Sequence, residues 1–98
     1  MPTKQFCVYF MTNKLGGTIY TGVTSRLMQR VYEHREGLLE GFTKRYGLKT
    51  LAYYEVHETA ESAITREKLL KDWKRRWKVE LIERENPNWV DLYPRLSL

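Results

Sequence analysis

Two short runs of β-type residues joined by a glycine-rich turn constrain the fold of this chain more than any other feature. Residues 6–11 form an aromatic and β-branched run of strand length. Residues 13–17 are turn material and end in two glycines, which adopt positive φ angles without strain. Residues 18–23 form a second run of strand length. The three segments predict a β-hairpin, so the sheet is expected to be antiparallel.

A helix is expected directly after the hairpin. Thr24 or Ser25 can serve as its N-cap, and Gly37 marks its end. Apolar residues recur at spacings of four and seven, which is typical of one buried helix face. These residues are Leu27, Val31 and Leu38.

The rest of the chain adds a third strand and further helix. Residues 37–47 read as a loop with a basic, aromatic centre, and residues 48–57 as a strand. A long helical pattern begins after Thr59, a plausible N-cap, and continues to about residue 85 with a break or bend near residues 73–77. Asn86-Pro87 ends it, because a residue before proline avoids the helical region. The aromatic tail is expected to pack back on the body. The order β-β-α-β-α-α predicts one α+β domain over residues 1–98, with a three-stranded antiparallel sheet flanked by helices.

The positive charge of the chain is concentrated in one segment. Residues 66–78 hold seven basic and two acidic side chains, an excess that equals the net charge of +5. A solvated helix face and a site for a polyanion both explain such a segment. No run approaches the roughly 18 apolar residues of a membrane span. The single cysteine, Cys7, excludes an internal disulfide, so a cytoplasmic location is expected.

Three polar residues lie in unusual positions on the expected helices. Arg30 and His34 are four residues apart and share a helix face, which on its own is typical of a solvated surface. Glu67 lies within an apolar stripe, where a carboxylate is normally paired, protonated or bound to a metal. A salt bridge from Glu67 to Arg30 is the structural alternative. The stripe consists of Ala60, Ala63, Ile64 and Leu70.

The tyrosines of the hairpin complete a pattern. The triplet Cys7-Val8-Tyr9 is followed, after ten residues, by Tyr20-Thr21-Gly22, and Arg30 lies ten residues beyond Tyr20. This arrangement resembles the paired signature of the GIY-YIG nucleases, in particular their small stand-alone bacterial members. Cys7 and Thr21 replace the glycine and the isoleucine of the signature, at positions that supply no catalytic side chain.

The resemblance implies a set of catalytic roles. Glu67 would hold one Mg²⁺ or Mn²⁺ ion, and Arg30 would contact the phosphate. Tyr9 would be the general base, with Tyr20 orienting it or the water, and His34 would assist proton transfer or contact phosphate. Gly22 would let backbones approach closely. The asparagine of the family is matched by Asn86 or Asn88, and Asn86 is equally well explained as a turn residue.

The resemblance also implies a function. We expect a metal-dependent endonuclease that hydrolyses phosphodiester bonds in nucleic acid, with DNA favoured, in a structure-directed step of repair or recombination. A protein partner could supply specificity. The alternative is a weak or inactive nucleic-acid-binding module with the same fold. Nucleic acid is expected to contact the basic, aromatic loop and the basic helix, through Phe42, Lys44, Arg45, Tyr46, Lys71, Lys74 and Arg75.

Overall fold

The strands β1 (Phe6–Thr12), β2 (Ile19–Thr24) and β3 (Thr50–His57) form an antiparallel sheet in the order β2-β1-β3. A computed structural model describes residues 5–97 of the chain. The hairpin of β1 and β2 and the third strand confirm the predicted sheet. Since β1 is the central strand, both of its faces are covered, which explains why its residues form a continuous apolar run rather than an alternating one.

The central strand divides the core into two layers. Val8 and Phe10 point to one face of the sheet, which we call the Phe10 face, and belong to one cluster of buried residues. Tyr9 and Met11 point to the other, the Tyr9 face, and belong to a second cluster. A β-bulge opposite Phe10 and Met11 makes Ala52 an extra residue in β3.

The helices cover the two faces in chain order. Helix α1 (Leu27–Arg35) packs on the Tyr9 face, and the short helix α2 (Phe42–Arg45) follows it. Helices α3 (Ala60–Asp72) and α4 (Arg75–Glu85) pack on the Phe10 face. A terminal 3₁₀ helix, Tyr93–Ser97, returns to the Tyr9 face, as the aromatic tail predicted.

Three details of the region around α1 and α2 differ from the sequence predictions. Arg26 occupies the N-cap position of α1 without a side-chain cap, because Thr24 Oγ1 instead accepts the Arg26 amide at 3.0 Å in the preceding turn. Leu38 lies beyond the helix and is 62% exposed, so it does not extend the buried face. Residues 37–47 are not a plain loop, since they contain α2.

The long helical pattern is divided into two helices. Trp73 and Lys74 take extended backbone angles between α3 and α4, within the segment where a break was predicted. Thr59 caps α3 by accepting the Ser62 amide at 3.1 Å, and α4 ends at Glu85, directly before Asn86. Among residues 5–97, no helix is long and apolar enough to cross a membrane.

Candidate active site

Tyr9 is fully buried at the centre of the sheet, and Gly22 makes room for its ring. The two residues are cross-strand partners on β1 and β2. A Cβ atom at position 22 would lie 2.5 Å from both Cζ and Oη of Tyr9. Only glycine therefore leaves the space that this tyrosine fills. The group that Gly22 accommodates is an aromatic ring, not the neighbouring backbone expected from the sequence.

Three aromatic rings meet on the Tyr9 face. The ring centroids of Tyr9 and Tyr20 are 6.3 Å apart, and His34 lies 5.7 Å from Tyr9 and 5.6 Å from Tyr20. Tyr9 Oη and His34 Nε2 form a hydrogen bond of 2.9 Å inside the protein. The fold thus joins residues of β1, β2 and α1 in one group.

The environment keeps the two hydrogen-bonded groups neutral near pH 7. Burial, followed by the proximity of Tyr20, raises the pKa of Tyr9 well above its usual range, while Arg30 opposes this shift through its charge and a hydrogen bond. Burial and then the charge of Arg30 lower the pKa of His34 from 6.5, against the opposing effect of Glu33. Tyr9 is therefore a phenol rather than a phenolate, and His34 is an uncharged imidazole that can accept a proton.

Arg30 is the cation next to this group. Its Nε lies 3.4 Å from Glu33 Oε1, and its side chain is 42% exposed. An exposed ion pair of this kind contributes about 0–1 kcal/mol, so a phosphate can replace Glu33 at little cost. Arg30 is thus close enough to influence Tyr9 and open enough to bind an anion.

Helix α2 extends the group of rings towards the surface. The Phe42 ring stacks on Tyr20 with a centroid distance of 6.3 Å and contacts Tyr46 at 4.7 Å. Arg45 lies 5.6 Å from the centroid of the Tyr46 ring, and Lys44 pairs with Glu40 at 2.9 Å. Phe42 and Tyr46 are about half exposed and border a surface cavity of about 650 Å³. Exposed rings beside cations are suited to nucleic acid.

Glu67 approaches the site from the other side of the sheet. It belongs to α3 on the Phe10 face, whereas Arg30 belongs to α1 on the Tyr9 face. Its carboxylate pairs with Lys71 at 3.1 Å, so the alternative salt bridge to Arg30 is not formed. Lys71 borders a cavity of about 340 Å³ together with Tyr20 and Phe42. Glu67 is therefore linked to the tyrosine group through Lys71 at the edge of β2. Its direct participation stays a prediction.

The remaining basic residues of the candidate interface have structural contacts of their own. Arg75 donates hydrogen bonds of 2.6 Å to the carbonyls of Gly16 and Gly17, which ties α4 to the hairpin turn. Lys74 Nζ lies 5.7 Å from the centroid of the Trp77 ring. These contacts use N–H donors of Arg75 that a ligand would otherwise bind, whereas Lys71 borders the cavity at the β2 edge.

Asn86 holds the chain after α4. Its amide nitrogen donates to the carbonyls of Ala52 and Val90 at 2.9 Å each, and its amide oxygen accepts the Val90 amide at 3.0 Å. The side chain is buried and both of its N–H donors are used, so we interpret Asn86 as a structural residue of the turn. Asn88, the other match for the family asparagine, is exposed.

Sequence reasoning missed two residues at this site. Thr43 is buried and lies 2.9 Å from His34 Nδ1 through its Oγ1. Lys78 borders the cavity at the β2 edge. Its pKa is lower than usual, mainly because the side chain is partly buried and also because Arg75 and Lys71 are nearby, while Asp72 opposes the shift. No periodicity indicated Thr43, whereas Lys78 belonged to the basic segment and could have been selected from it.

The chain belongs to the GIY-YIG family. A family model described as the GIY-YIG catalytic domain matches residues 5–80, which include every catalytic candidate except the asparagine. The family implies a nuclease fold, a nucleic acid as substrate and, in general, dependence on a divalent metal.

Similar proteins include small bacterial relatives. UPF0213 proteins of Streptococcus pyogenes serotypes M3 and M1 are each 38% identical to this chain over 77 residues, covering 78% of it and 82% of the relative. The solution NMR structure of the UPF0213 protein BH0048 from Bacillus halodurans is similar with a TM-score of 0.53 and 26% identity, covering 84% of this chain and 86% of that one. These names describe no activity.

Proposed function

We propose that this protein is an endonuclease that hydrolyses phosphodiester bonds in nucleic acid, with DNA favoured, using one Mg²⁺ or Mn²⁺ ion. The observation that carries the proposal is the hydrogen bond between the buried Tyr9 hydroxyl and the neutral His34, beside the half-exposed guanidinium of Arg30. Hydrolysis needs an acceptor for the proton of water and a positive group for the phosphate. This group of residues supplies both.

Tyr9 and His34 act together as the base. Because its pKa is raised, Tyr9 does not ionise near neutral pH and cannot take a proton unaided. In the free protein its hydroxyl is buried, so the attacking water reaches it as phosphate displaces Glu33 from Arg30. Tyr9 then accepts the proton of that water while it passes its own proton to His34 Nε2, 2.9 Å away. Tyr20, against both rings, holds them in place. His34 therefore receives the proton, and the Tyr9 hydroxyl conducts it.

Arg30 binds the phosphate. Its guanidinium presents a planar set of donors that can contact two phosphate oxygens at once. In exchanging Glu33 for phosphate it stays beside Tyr9, so it positions the phosphorus near the activated water. Positive charge at this point also stabilises the negative charge that develops as water attacks.

Glu67 is the candidate ligand for the metal ion. Among residues 5–97, no group of three or more His, Cys, Asp or Glu side chains could enclose a metal. A single carboxylate fits a hydrated Mg²⁺ or Mn²⁺ ion, which takes its other ligands from water and phosphate oxygens. When bound, such an ion supplies positive charge for the phosphate and the leaving oxygen. Lys71 must release Glu67 first, and its 52% exposed side chain makes that pair weak.

Two surfaces beside the tyrosine group are suited to the nucleic acid. On one side, Phe42 and Tyr46 can stack on bases while Lys44 and Arg45 contact phosphates. At the β2 edge, Lys71 and Lys78 provide positive charge, and Lys74 adds to it from the segment between α3 and α4. We further propose that the protein acts in the cytoplasm, in repair or recombination, and that a protein partner adds specificity.

The second candidate is a nucleic-acid-binding module with little or no turnover. The Lys71–Glu67 ion pair favours it, because a lysine that keeps the carboxylate leaves the metal without its protein ligand. Both candidates bind nucleic acid, and only the first cleaves it in a metal-dependent way.

The decisive variant is Glu67→Gln, which removes the charge and keeps the shape. We expect cleavage of branched, single-stranded and duplex DNA to be abolished and Mn²⁺ affinity in calorimetry to fall. The free energy of unfolding should change by less than about 1 kcal/mol, because the lost ion pair has a half-exposed partner. Glu61→Gln, on an exposed position of the same helix, is the matched control.

The assays are run with Mg²⁺, Mn²⁺ or EDTA. Metal-dependent cleavage by the Glu67→Gln protein would remove this residue from the site. Absence of cleavage by the unmodified protein on every substrate, with DNA binding retained, would favour the binding module.

A further inference from the structure

Thr43 completes a hydrogen-bonded chain that begins at Tyr9. Its Oγ1 lies 2.9 Å from His34 Nδ1, and His34 Nε2 lies 2.9 Å from Tyr9 Oη. All three side chains are buried, with exposures of 4% for Thr43, 4% for His34 and 0% for Tyr9. Both ring nitrogens of the histidine therefore have one protein partner each.

The direction of these hydrogen bonds decides whether the chain can move a proton. A neutral imidazole carries one N–H, so one ring nitrogen donates and the other accepts. If Nδ1 carries the hydrogen, Nε2 is free to accept the proton of Tyr9. If Nε2 carries it, the ring donates to Tyr9 Oη and can accept nothing there. Both hydroxyl groups can accept or donate, but Arg30 can only donate, and its hydrogen bond to the Tyr9 oxygen favours Tyr9 as the donor to Nε2. The Nδ1–H then needs an acceptor inside the protein, and the Thr43 oxygen lies within hydrogen-bond distance of it.

We propose that Thr43 is the positioning residue that holds His34 in the Nδ1–H tautomer and thereby leaves Nε2 ready to accept the proton of Tyr9. The inference rests on the proposed nuclease activity for its chemical meaning, but the tautomer itself is a property of the resting protein. The Thr43 hydroxyl oxygen accepts the Nδ1–H, and it continues to do so when the ring is protonated.

The proton transfer balances within the described residues. As water attacks phosphorus, one of its O–H bonds breaks and that proton goes to Tyr9 Oη. The Tyr9 O–H bond breaks in turn, and its proton goes to His34 Nε2. A bond forms between the water oxygen and phosphorus, and the bond from phosphorus to the leaving oxygen breaks. The leaving alkoxide takes a proton from solvent, and the imidazolium later returns one to solvent. Thr43 contacts neither water nor phosphate and acts through His34.

The environment of His34 agrees with this assignment. Among residues 5–97 the ring has no carboxylate as a hydrogen-bond partner, since both of its hydrogen bonds go to hydroxyl groups. Thr43 lies on α2, next to the exposed Phe42 that stacks on Tyr20. The short helix thus places one residue at the surface and the next one against the histidine.

The test compares Thr43→Val, which keeps the shape without the acceptor, with Thr43→Ser, which keeps the hydroxyl. Thr65→Val, on an exposed position of α3, is the control. The first readout is the ¹⁵N NMR spectrum of the His34 ring at a pH above 7, where the two tautomers differ. We expect Nδ1–H in the unmodified, Thr43→Ser and Thr65→Val proteins, and a mixed or reversed tautomer in Thr43→Val.

The second readout is cleavage kinetics. The kcat of Thr43→Val should fall roughly 10- to 100-fold with KM unchanged. This loss is smaller than the one seen when a carboxylate that orients a catalytic histidine is removed. Thr43→Ser should retain most of the kcat of the unmodified protein. An Nε2–H tautomer in the unmodified protein overturns the proposal, as does an unchanged tautomer in Thr43→Val. If the unmodified protein cleaves nothing, the nuclease proposal fails, and the NMR comparison still decides whether Thr43 sets the tautomer.

Discussion

The two histidines of this chain lie on opposite faces of one sheet and in opposite chemical settings. On the Tyr9 face, His34 lies between two hydroxyl groups, those of Tyr9 and Thr43. On the other, His57 lies at the end of β3 between Ser62 Oγ and the Glu55 carboxylate, each 2.6 Å from a ring nitrogen. Within the described part of the chain, only the second histidine forms a hydrogen bond with an acidic side chain.

The network around Glu55 is ionic, and its charged groups bind one another. Tyr53 Oη donates to Glu55 Oε1 at 2.5 Å, and Arg66 Nε donates to Oε2 at 3.0 Å, where His57 also binds. Although burial by itself would raise the pKa of Glu55, the hydrogen bonds from Tyr53, His57 and Arg66 hold it below its usual value. Arg66 also lies over the ring of Trp73. These contacts fasten α3 to β3, so the network stabilises the fold.

The contrast suggests how a small protein separates stability from chemistry. Around Glu55, opposite charges and donors satisfy one another, and little remains to react. Around His34, the hydrogen-bonded partners are neutral hydroxyl groups, so a proton can move along them.

The largest difference is expected between two tyrosines, one on each face. Tyr9→Phe removes the hydroxyl that conducts the proton and should lower kcat roughly 10² to 10⁴-fold, with DNA affinity nearly unchanged. Tyr53→Phe removes a hydroxyl that bonds only to the Glu55 network, and should leave kcat within about twofold where the protein is folded. Single-turnover cleavage and a DNA-binding titration measure both. A Tyr9→Phe protein with normal kcat would transfer the role of base to Tyr20 or His34.

The second difference concerns stability. Glu55→Gln leaves Arg66 and His57 without their carboxylate, and should reduce the free energy of unfolding by about 1–3 kcal/mol near pH 7. Because the folded pKa of Glu55 lies below 4.5, its contribution is complete above that pH and is lost as the pH falls through the folded value. The gap between the two proteins in urea melts should therefore close in acid. Glu58→Gln, an exposed neighbour, is the control, and an equal loss there would contradict the assignment.

Much of the site could be predicted because it depends on short-range geometry. Tyr9 and Tyr20 lie on strands joined by a tight hairpin, and Arg30 and His34 are one helical turn apart, so spacing alone brings each pair together. Strand length and turn residues likewise indicated the sheet. The periods of strand and helix account for this proximity, whereas the catalytic roles came from the resemblance to the GIY-YIG signature.

The parts that the sequence did not reveal depend on tertiary packing. Thr43 reaches His34 because the turn after α1 brings the start of α2 back to the end of α1, and nothing in the residues around Thr43 indicates that contact. Leu38 continued the helical period, but the period does not mark where the helix ends. Glu67 has only 14% of its side chain exposed, although Ile64 of the expected apolar stripe is itself 43% exposed, and its partner is Lys71, one turn along the same helix.

The smallest expected effect is the pH dependence of stability that His34 causes. The pKa of His34 in the folded protein lies below 6.5, because burial and then the charge of Arg30 lower it, while Glu33 opposes the shift. The other titratable groups around the ring are Tyr9 and Tyr20. Between 6.5 and the folded pKa, the unfolded chain binds a proton that the folded protein does not. Stability therefore falls as the pH drops through this range, by at most about 1.4 kcal/mol per pH unit for one group. Urea melts from pH 7.5 to 5 should show this slope in the unmodified protein and lose it in His34→Gln. Loss of the slope in His57→Gln instead would contradict the assignment of this pH dependence to His34. The proposed proton transfer from Tyr9 would then lack the uncharged histidine that it requires.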